Sequence, residues 1–192
     1  MTPTSASDLA SARPAATPSP PALPCGDGTL RLVEVTDENL AATLALDVFP
    51  GQRSYVASTA KSLAECYVYR SDIPRLAMLD DVPVGFVLVH RGEVEGEDGR
   101  CFRLERLMID ASHQRRGIGR VLLTLVIDWA ARFQPRPESI ALGVVQENAP
   151  AIALYESMGF RATGEIRYGE AVMVRPLLLP ETGEPRRPGG TA

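Results

Sequence analysis

Two arginines and two glycines stand at the entrance to an apolar helical pattern. The stretch HQRRGIGRVLLTLVIDWA, residues 113–130, places Arg115 and Arg116 directly before Gly117, with Gly119 two residues further on. Glycine lets the chain turn tightly and lets main-chain N–H groups approach a ligand without an intervening Cβ atom. Because a helix N-terminus also carries a partial positive charge, the pattern predicts a binding site for a pyrophosphate group.

Two familiar phosphate-binding patterns do not fit this junction. A dinucleotide-binding turn needs G-x-G-x-x-G after the first strand of a parallel sheet, whereas here Gly119 is followed by RVL. The phosphate loop of nucleoside triphosphatases needs G-K-[ST], which is absent from this loop. A metal site is not indicated, because the three cysteines and two histidines show no ligand spacing.

The elements that position the loop follow from the hydrophobic pattern. LRLVEV alternates as a strand, Thr36 starts a helix to about Val48, and residues 54–70 have the spacing of a second helix. Three apolar runs separated by short turns then predict antiparallel hairpins. After the loop come a helix, a strand, a short helix and two strands. The order β-α-α-β-β-β-α-β-α-β-β predicts an α+β, or mixed α/β, fold.

Composition divides the chain into one domain and two tails. Residues 1–27 and 180–192 are predicted to be a disordered Pro/Ala/Ser-rich tail and a flexible tail, which leaves a folded domain at residues 28–179. The net charge of −4 disfavours nucleic-acid binding and suits cationic small molecules. No apolar run reaches the roughly 20 residues that cross a bilayer, so the sequence predicts a cytoplasmic protein without a membrane partner.

The loop and a downstream motif together resemble a known family. QRRGIG, preceded by LMID and followed by NAPAIALYESMGF, is similar to the GNAT superfamily of acetyl-CoA-dependent N-acetyltransferases, whose loop motif is Q/R-x-x-G-x-G/A. The resemblance implies a central, mostly antiparallel sheet of six to seven strands with about four helices. It also implies acetyl-CoA as co-substrate, no metal, direct attack by the acceptor amine in a ternary complex, and an assembly that in many members is a homodimer.

The resemblance assigns roles to particular residues. The CoA pyrophosphate is expected on the glycine loop, and the pantetheine arm is expected beside the strand that precedes it, whose open edge offers partners for two amides. Tyr155 corresponds to the acid that protonates the departing thiolate. Asn148 lies about two helical turns before Tyr155 and either contacts CoA or only caps the helix. The expected cofactor-binding residues are Leu107, Met108, Ile109, Gln114, Arg115, Arg116, Gly117, Ile118, Gly119, Arg120, Asn148 and Tyr155.

The acceptor must be a neutral amine to react. An alkylammonium has a pKa near 10, so its deprotonation at neutral pH costs on the order of 4 kcal/mol. Glu105 is the candidate general base, although it could equally be a strand residue paired with Arg103 or Arg106. Strand alternation would place Glu105 and Leu107 on one face of the sheet.

A second resemblance suggests which amine is used. QRSYVASTAKSLAECYVY, ALGVVQENAPAIALYESMGF and TGEIRYGEAVMVRPL are similar to bacterial spermine/spermidine, or diamine, N-acetyltransferases. A polyamine needs an acidic groove, because each ammonium group must exchange water for a compensating charge. Glu65, Glu105 and Glu170 are the predicted groove residues.

The sequence is also compatible with other functions. The motif AIALYESMGF also resembles the ribosomal-protein alanine acetyltransferases, which carry a Glu where this chain has Gly143. An antibiotic or amino-acid acetyltransferase is a further alternative, as is a CoA-binding module without turnover.

Overall fold

One mixed sheet with helices on both faces organises the chain. The computed structural model describes residues 17–69, 72–91 and 101–177, apart from the side chain of residue 101. The eight strands are β1 Ala22–Cys25, β2 Gly28–Glu34, β3 Asp72–Leu79, β4 Val82–Arg91, β5 Cys101–Ile109, β6 Ser139–Val144, β7 Arg161–Arg167 and β8 Glu170–Pro176. The helices are α1 Asp37–Ala45, α2 Thr59–Val68, α3 Ile118–Ala130 and α4 Ala149–Ser157, with short 3₁₀ turns at Pro50–Gln52 and Ala111–His113.

The predicted fold class is confirmed, and the order of elements after β1 is the predicted one. The strands lie in the order β1-β2-β3-β4-β5-β6-β8-β7, and every neighbouring pair is antiparallel except β5 and β6. Within the described residues the sheet has eight strands, one more than the upper limit of the prediction. None of the helices in these ranges has the length and apolar character to cross a membrane.

The additional strand corrects the predicted domain boundary. β1 pairs with β2 through a tight turn in which Gly26 has φ +61°, so the prediction of a disordered tail was wrong for Ala22–Cys25. The Cys25 side chain is buried in the main core, and the Trp129 indole N–H donates a hydrogen bond to the Pro18 carbonyl at 2.6 Å. Tertiary packing therefore orders a segment whose own composition would leave it unstructured. Residues 1–16 and the predicted tail at 180–192 lie outside the described residues.

Helix starts follow the capping residues rather than the full apolar pattern. α1 begins after Thr36, as predicted, and the Thr36 main-chain N–H donates to the Asn39 side chain at 2.9 Å. The second helix was predicted from residue 54, but it begins after Ser58, whose hydroxyl accepts from the Lys61 N–H. Residues 54–58 are consequently a loop, and several of them face the site described below.

Two hydrophobic cores cover the two faces of the sheet. The larger core contains buried residues of α3 and α4, with Phe102, Trp129 and Phe133 packed ring against ring at 5.3–6.1 Å between centroids. The smaller core packs buried strand residues such as Phe86 and Met108 against the α1 and α2 side. The α3–α4 face and the α1–α2 face are thereby distinct.

The sheet opens between its two parallel strands. Residues 101–104 of β5 pair with residues 139–142 of β6, but the following residues of the two strands do not pair with each other. Residues 106–109 stay paired with β4 on their other side, and residues 143 and 144 stay paired with β8. The split leaves two strand edges facing a common space, and the candidate site lies there.

Candidate active site

A cleft of about 860 Å³ occupies the split and is called here the loop cleft. The β5 edge from Leu104 to Ile109 forms one wall, and the start of α3 and residues of α4 form another. The loop between α1 and α2 adds residues 52–58. Clefts of this size hold drug-sized or larger ligands.

The glycine loop presents main-chain N–H groups at one end of the loop cleft. Gly117 has φ +78° and caps the start of α3, and Arg115 has φ +61°. Within the described residues, the main-chain N–H groups of residues 115–119 have no hydrogen-bond acceptor. A Cβ atom added at Gly117 would meet no atom within 4 Å, so the space above the loop is open. These features fit an anionic diphosphate at a helix N-terminus.

Two of the predicted loop residues use their side chains inside the protein. The Gln114 side-chain amide donates to the Ile109 carbonyl at 3.0 Å and exchanges hydrogen bonds with Gln52 at 2.9 and 3.1 Å. Gln114 thereby ties the loop to the end of β5. The Arg120 guanidinium donates to the Ser157 hydroxyl at 2.9 Å, which joins α3 to α4 rather than pointing into the loop cleft.

The strand that precedes the loop offers its edge rather than its side chains. Leu107 and Ile109 pack against the larger core, and Met108 is buried in the smaller one. All three line the loop cleft through the unpaired side of β5. Main-chain amides and carbonyls along this edge are available to an extended ligand.

A β-bulge at Glu105 corrects the expected alternation. Val89 lies opposite Leu104 and Leu88 lies opposite Arg106, so Glu105 has no partner on β4. A bulge places one extra residue in a strand and shifts the side-chain pattern beyond it. Leu107 therefore packs with the larger core, whereas Glu105 contacts Arg103 and Arg106, and the prediction that Glu105 and Leu107 share a face was wrong.

Asn148 and Tyr155 both line the loop cleft from the α4 side. The Asn148 side chain caps α4 by accepting from the Ala151 N–H at 3.4 Å. Tyr155 is 8% exposed and packs against Phe160 with ring centroids 5.8 Å apart. Burial, reinforced by the negative charge of Glu170, raises the pKa of Tyr155 to about 12. The phenol is consequently protonated at neutral pH, as a proton donor must be.

A second cleft, called here the acidic cleft, has a volume of about 910 Å³. Its lining includes five carboxylates and three guanidinium groups. Two exposed tyrosines, Tyr69 and Tyr168, also line it. The carboxylates are those of Glu65, Asp72, Glu105, Glu165 and Glu170, and the guanidinium groups are those of Arg103, Arg106 and Arg167.

The two clefts meet at four shared residues. Glu105, Arg106, Gly143 and Glu170 line both. A ligand in the acidic cleft can therefore approach a ligand in the loop cleft through the split in the sheet. The structure brings the predicted residues Glu65, Glu105 and Glu170 together around this passage.

Two of these three carboxylates are neutralised by ion pairs. Glu105 receives a hydrogen bond from the Arg103 Nε at 2.9 Å, and its other oxygen lies 3.8 Å from the Arg106 guanidinium. Glu65 accepts from Arg106 at 3.1 Å and lies 3.8 Å from the Lys61 ammonium. The pairing of Glu105 with Arg103 and Arg106, which the sequence suggested as one alternative, is present in the structure, and its role as general base stays a prediction.

Glu170 differs from Glu65 and Glu105, and its carboxylate lies in the space left free by a glycine, Gly143. A Cβ atom added at Gly143 would lie 2.1 Å from the Glu170 Oε2 atom, so any other residue at position 143 would displace the carboxylate from its present place. Within the described residues, no hydrogen bond or ion pair engages the Glu170 carboxylate. Its negative charge is therefore uncompensated by a direct partner at the junction of the clefts.

Sequence reasoning missed several residues of the acidic cleft. Asp72 and His90 face each other across the β3–β4 pair with 2.6 Å between the Asp72 Oδ1 and His90 Nδ1 atoms. Burial outweighs the stabilising contact with His90 and raises the pKa of Asp72. Tyr168 lies in the β7–β8 turn with φ +51°. The sequence predicts β7 and β8 as neighbouring strands. It does not show that the turn between them lines the same cleft as residues of α2.

Comparisons with known proteins give a consistent assignment. The model of the Acetyltransferase (GNAT) family matches residues 47–160. The spermine/spermidine N(1)-acetyltransferase of Bacillus subtilis strain 168 is 33% identical over 156 residues, which cover 78% of this chain and 99% of that protein. A probable spermine N(1)-acetyltransferase of Bacillus subtilis subsp. natto matches equally well.

Solved structures share the fold at lower identity. A spermidine N-acetyltransferase from Vibrio cholerae, in complex with CoA and spermine, has a TM-score of 0.60 and 20% identity, covering 77% of this chain and 95% of that chain. The aminoglycoside acetyltransferase AAC(6')-Ib, in complex with coenzyme A, has a TM-score of 0.64 and 22% identity, covering 77% of this chain and 95% of that chain.

Proposed function

The chain belongs to the GNAT family of acetyl-CoA-dependent N-acetyltransferases, and we propose that its acceptor is a polyamine such as spermidine or spermine. The observation that carries the proposal is the acidic cleft, which opens into the loop cleft beside an unpaired carboxylate. The 33% identity to a Bacillus subtilis enzyme named for spermine and spermidine also supports it.

The loop cleft would hold acetyl-CoA, which supplies the thioester that is transferred. The main-chain N–H groups of residues 115–119 would bind the diphosphate, with Arg115 and Arg116 adding positive charge. The free edge of residues 107–109 would bind the pantetheine amides as an added strand would. Tyr155, on α4, would donate its phenolic proton to the departing sulfur, and the phenol holds that proton at neutral pH because burial and Glu170 raise its pKa to about 12.

The acidic cleft suits a flexible molecule with several ammonium groups. Five carboxylates against three guanidinium groups leave a negative balance. Each ammonium that leaves water needs a compensating charge, and the negative balance of the acidic cleft provides this for a linear polycation. The exposed rings of Tyr69 and Tyr168 can form cation–π interactions with ammonium groups.

A panel of acceptors tests the proposal. The purified chain is incubated with acetyl-CoA and one acceptor, and CoA release is followed with a thiol reagent. The acceptors are a diamine, spermidine, spermine, a peptide with a free N-terminal alanine, and an aminoglycoside. We expect kcat/KM to increase from the diamine to spermidine and spermine, because each further ammonium adds a contact with the acidic cleft.

The other functions predict different outcomes of the same assay. Highest kcat/KM with the peptide would assign the chain to protein N-terminal acetylation, and highest kcat/KM with the aminoglycoside would assign it to antibiotic modification. Tight binding of acetyl-CoA in calorimetry with no turnover of any acceptor would indicate a CoA-binding module. Any of these results would overturn the polyamine proposal.

A further inference from the structure

We propose that Glu170, and not Glu105, is the general base that deprotonates the acceptor amine at the junction of the two clefts. This inference rests on the proposed function for its acceptor, because it concerns how an ammonium group becomes a nucleophile. It assigns a catalytic residue to β8, the strand that lies on the far side of β6 from the glycine-loop strand β5.

The register of the sheet explains why Glu170 reaches the junction. Gly143 of β6 lies opposite Val172 of β8, and Glu170 is two residues before Val172 on the same face of the sheet. The would-be Cβ of Gly143 lies 2.1 Å from the Glu170 Oε2 atom and 3.3 Å from its Cβ atom. The carboxylate therefore occupies the space that a side chain at position 143 would fill, at the point where β6 parts from β5.

The charges around the two carboxylates distinguish them. The Glu105 carboxylate is engaged by the Arg103 and Arg106 guanidinium groups, which compete with an acceptor ammonium for its oxygen atoms. Within the described residues, the Glu170 carboxylate has no cationic partner, so its oxygen atoms are available to an ammonium group. The titratable and charged groups that line the acidic cleft with Glu170 come from α2, β3, β4, β5, β7 and the loops beside them, and Tyr155 of α4 lines the loop cleft with it. In the acidic cleft they are Glu65, Tyr69, Asp72, His90, Arg103, Glu105, Arg106, Glu165, Arg167 and Tyr168. Of these, Glu165 and Arg167 form an ion pair with each other.

Glu170 and Tyr155 then each carry out one proton transfer of the reaction. The Glu170 carboxylate takes one proton from the ammonium, and the resulting amine nitrogen attacks the thioester carbonyl carbon. The nitrogen–carbon bond forms, the carbon–sulfur bond breaks, and its electron pair leaves with the sulfur. Tyr155 protonates that sulfur, and the second nitrogen proton restores the phenol. One proton leaves the site in total, and Glu170 releases it to solvent.

The position of Tyr155 supports this arrangement. The charge of Glu170 contributes to the raised pKa of the phenol, so the two groups are close enough to influence each other. Glu170 lines both clefts, whereas Tyr155 lines only the loop cleft. A base that touches the passage and an acid confined to the loop cleft match the positions of the amine and of the sulfur.

Three single variants test the base assignment kinetically. In Glu170→Gln we expect kcat with spermine to fall at least about 100-fold at pH 7.5, the usual size of a lost general base. The wild-type kcat should level off well below the amine pKa near 10, whereas kcat of Glu170→Gln should keep rising toward it, because only free amine reacts. Glu105→Gln should keep the wild-type shape of the profile. Glu156→Gln, on the exposed side of α4, is the matched control for loss of a nearby carboxylate.

Two further measurements separate catalysis from structure. The swapped variant Glu170→Gly with Gly143→Glu returns a carboxylate to the same space from β6, and we expect it to recover at least about 10-fold over Glu170→Gly alone. CoA affinity by calorimetry should change less than about 3-fold in Glu170→Gln. The ultraviolet titration of Tyr155, isolated by difference from Tyr155→Phe, should shift to lower pH when Glu170 is neutral.

The inference is overturned if Glu105→Gln loses the plateau of the pH profile while Glu170→Gln keeps it. An unshifted Tyr155 titration, or a swapped variant no better than Glu170→Gly, would also count against it. If polyamines fail as acceptors but another amine turns over, the polyamine proposal is lost and the same variants are compared with that amine. The tyrosine titration needs no acceptor.

Discussion

Replacing Tyr155 with phenylalanine removes one hydroxyl from the loop cleft and leaves the ring in place. The ring still packs against Phe160, whose centroid is 5.8 Å away, so the fold should be retained. If the phenol protonates the departing sulfur, kcat should fall by roughly 10²–10⁴, which corresponds to about 3–5 kcal/mol of lost transition-state stabilisation. Acetyl-CoA affinity should change little, because the proton is needed only when the carbon–sulfur bond breaks. Pre-steady-state and steady-state rates with the best acceptor, together with calorimetry, measure both quantities.

The same variant has a second consequence at alkaline pH. Burial, with a contribution from Glu170, raises the pKa of Tyr155 from 10.0 to about 12 in the folded protein. A raised folded-state pKa means that the folded state holds the proton more tightly, so stability is fully present below pH 10 and declines as the pH rises toward 12. Two pKa units correspond to about 3 kcal/mol. The wild type should lose about this much more unfolding free energy than Tyr155→Phe between pH 9 and pH 12.

Chemical denaturation at several pH values measures that difference, because the titration of other groups cancels between the two proteins. Identical alkaline stability profiles would show that Tyr155 is not the buried, protonated phenol described here. An unchanged kcat in Tyr155→Phe would remove the acid role even if the stability difference were found.

Two other substitutions probe the loop and its support. Gly117→Val should weaken CoA binding at least about 10-fold by calorimetry, because a branched side chain disfavours φ +78° and enters the open space above the loop; an unaltered dissociation constant would contradict the loop assignment. Asp110→Asn should lower stability by about 1 kcal/mol at pH 7, because Asp110 accepts from the Ser112 and Asp47 N–H groups. Burial opposes ionisation of Asp110, but the hydrogen bonds from the Ser112 hydroxyl and from these two N–H groups outweigh it and lower its pKa. Its contribution is therefore present above pH 3.8 and is lost as the pH falls through the folded-state value, so urea unfolding of the two proteins should converge in acid.

The glycine loop could be predicted because its conformation is a local property. Gly117 adopts a positive φ directly before α3, and the apolar helix pattern that follows fixes where the loop ends. The fold class was likewise accessible, since hairpin turns and helix caps are short-range signals. The confirmed family and its co-substrate, acetyl-CoA, follow from the same loop together with the ALYESMGF motif.

The missed features depend on contacts between distant segments. β1 lies in a Pro-rich stretch and is ordered by pairing with β2 and by the hydrogen bond from Trp129 to Pro18. The bulge at Glu105 appears only when β5 is aligned with β4. Strand alternation within one segment cannot reveal an extra residue, so the face of Glu105 could not be derived from the sequence. The acidic cleft likewise depends on the fold, which brings residues of α2 and of the β7–β8 turn to the walls of one cleft.

The structure also changes the weight of one sequence argument about the acceptor. In the sequence, the absence of a Glu at position 143 disfavours protein N-terminal acetylation, because the ribosomal-protein alanine acetyltransferases carry one there. In this fold the space at Gly143 is filled by the Glu170 carboxylate from the adjacent strand. A carboxylate near that point is therefore present by another route, and glycine at position 143 does not by itself distinguish between peptide and polyamine acceptors. The distinction rests instead on the acidic cleft beyond Glu170, where a linear polycation gains several charge contacts and a peptide with one N-terminal amine gains fewer.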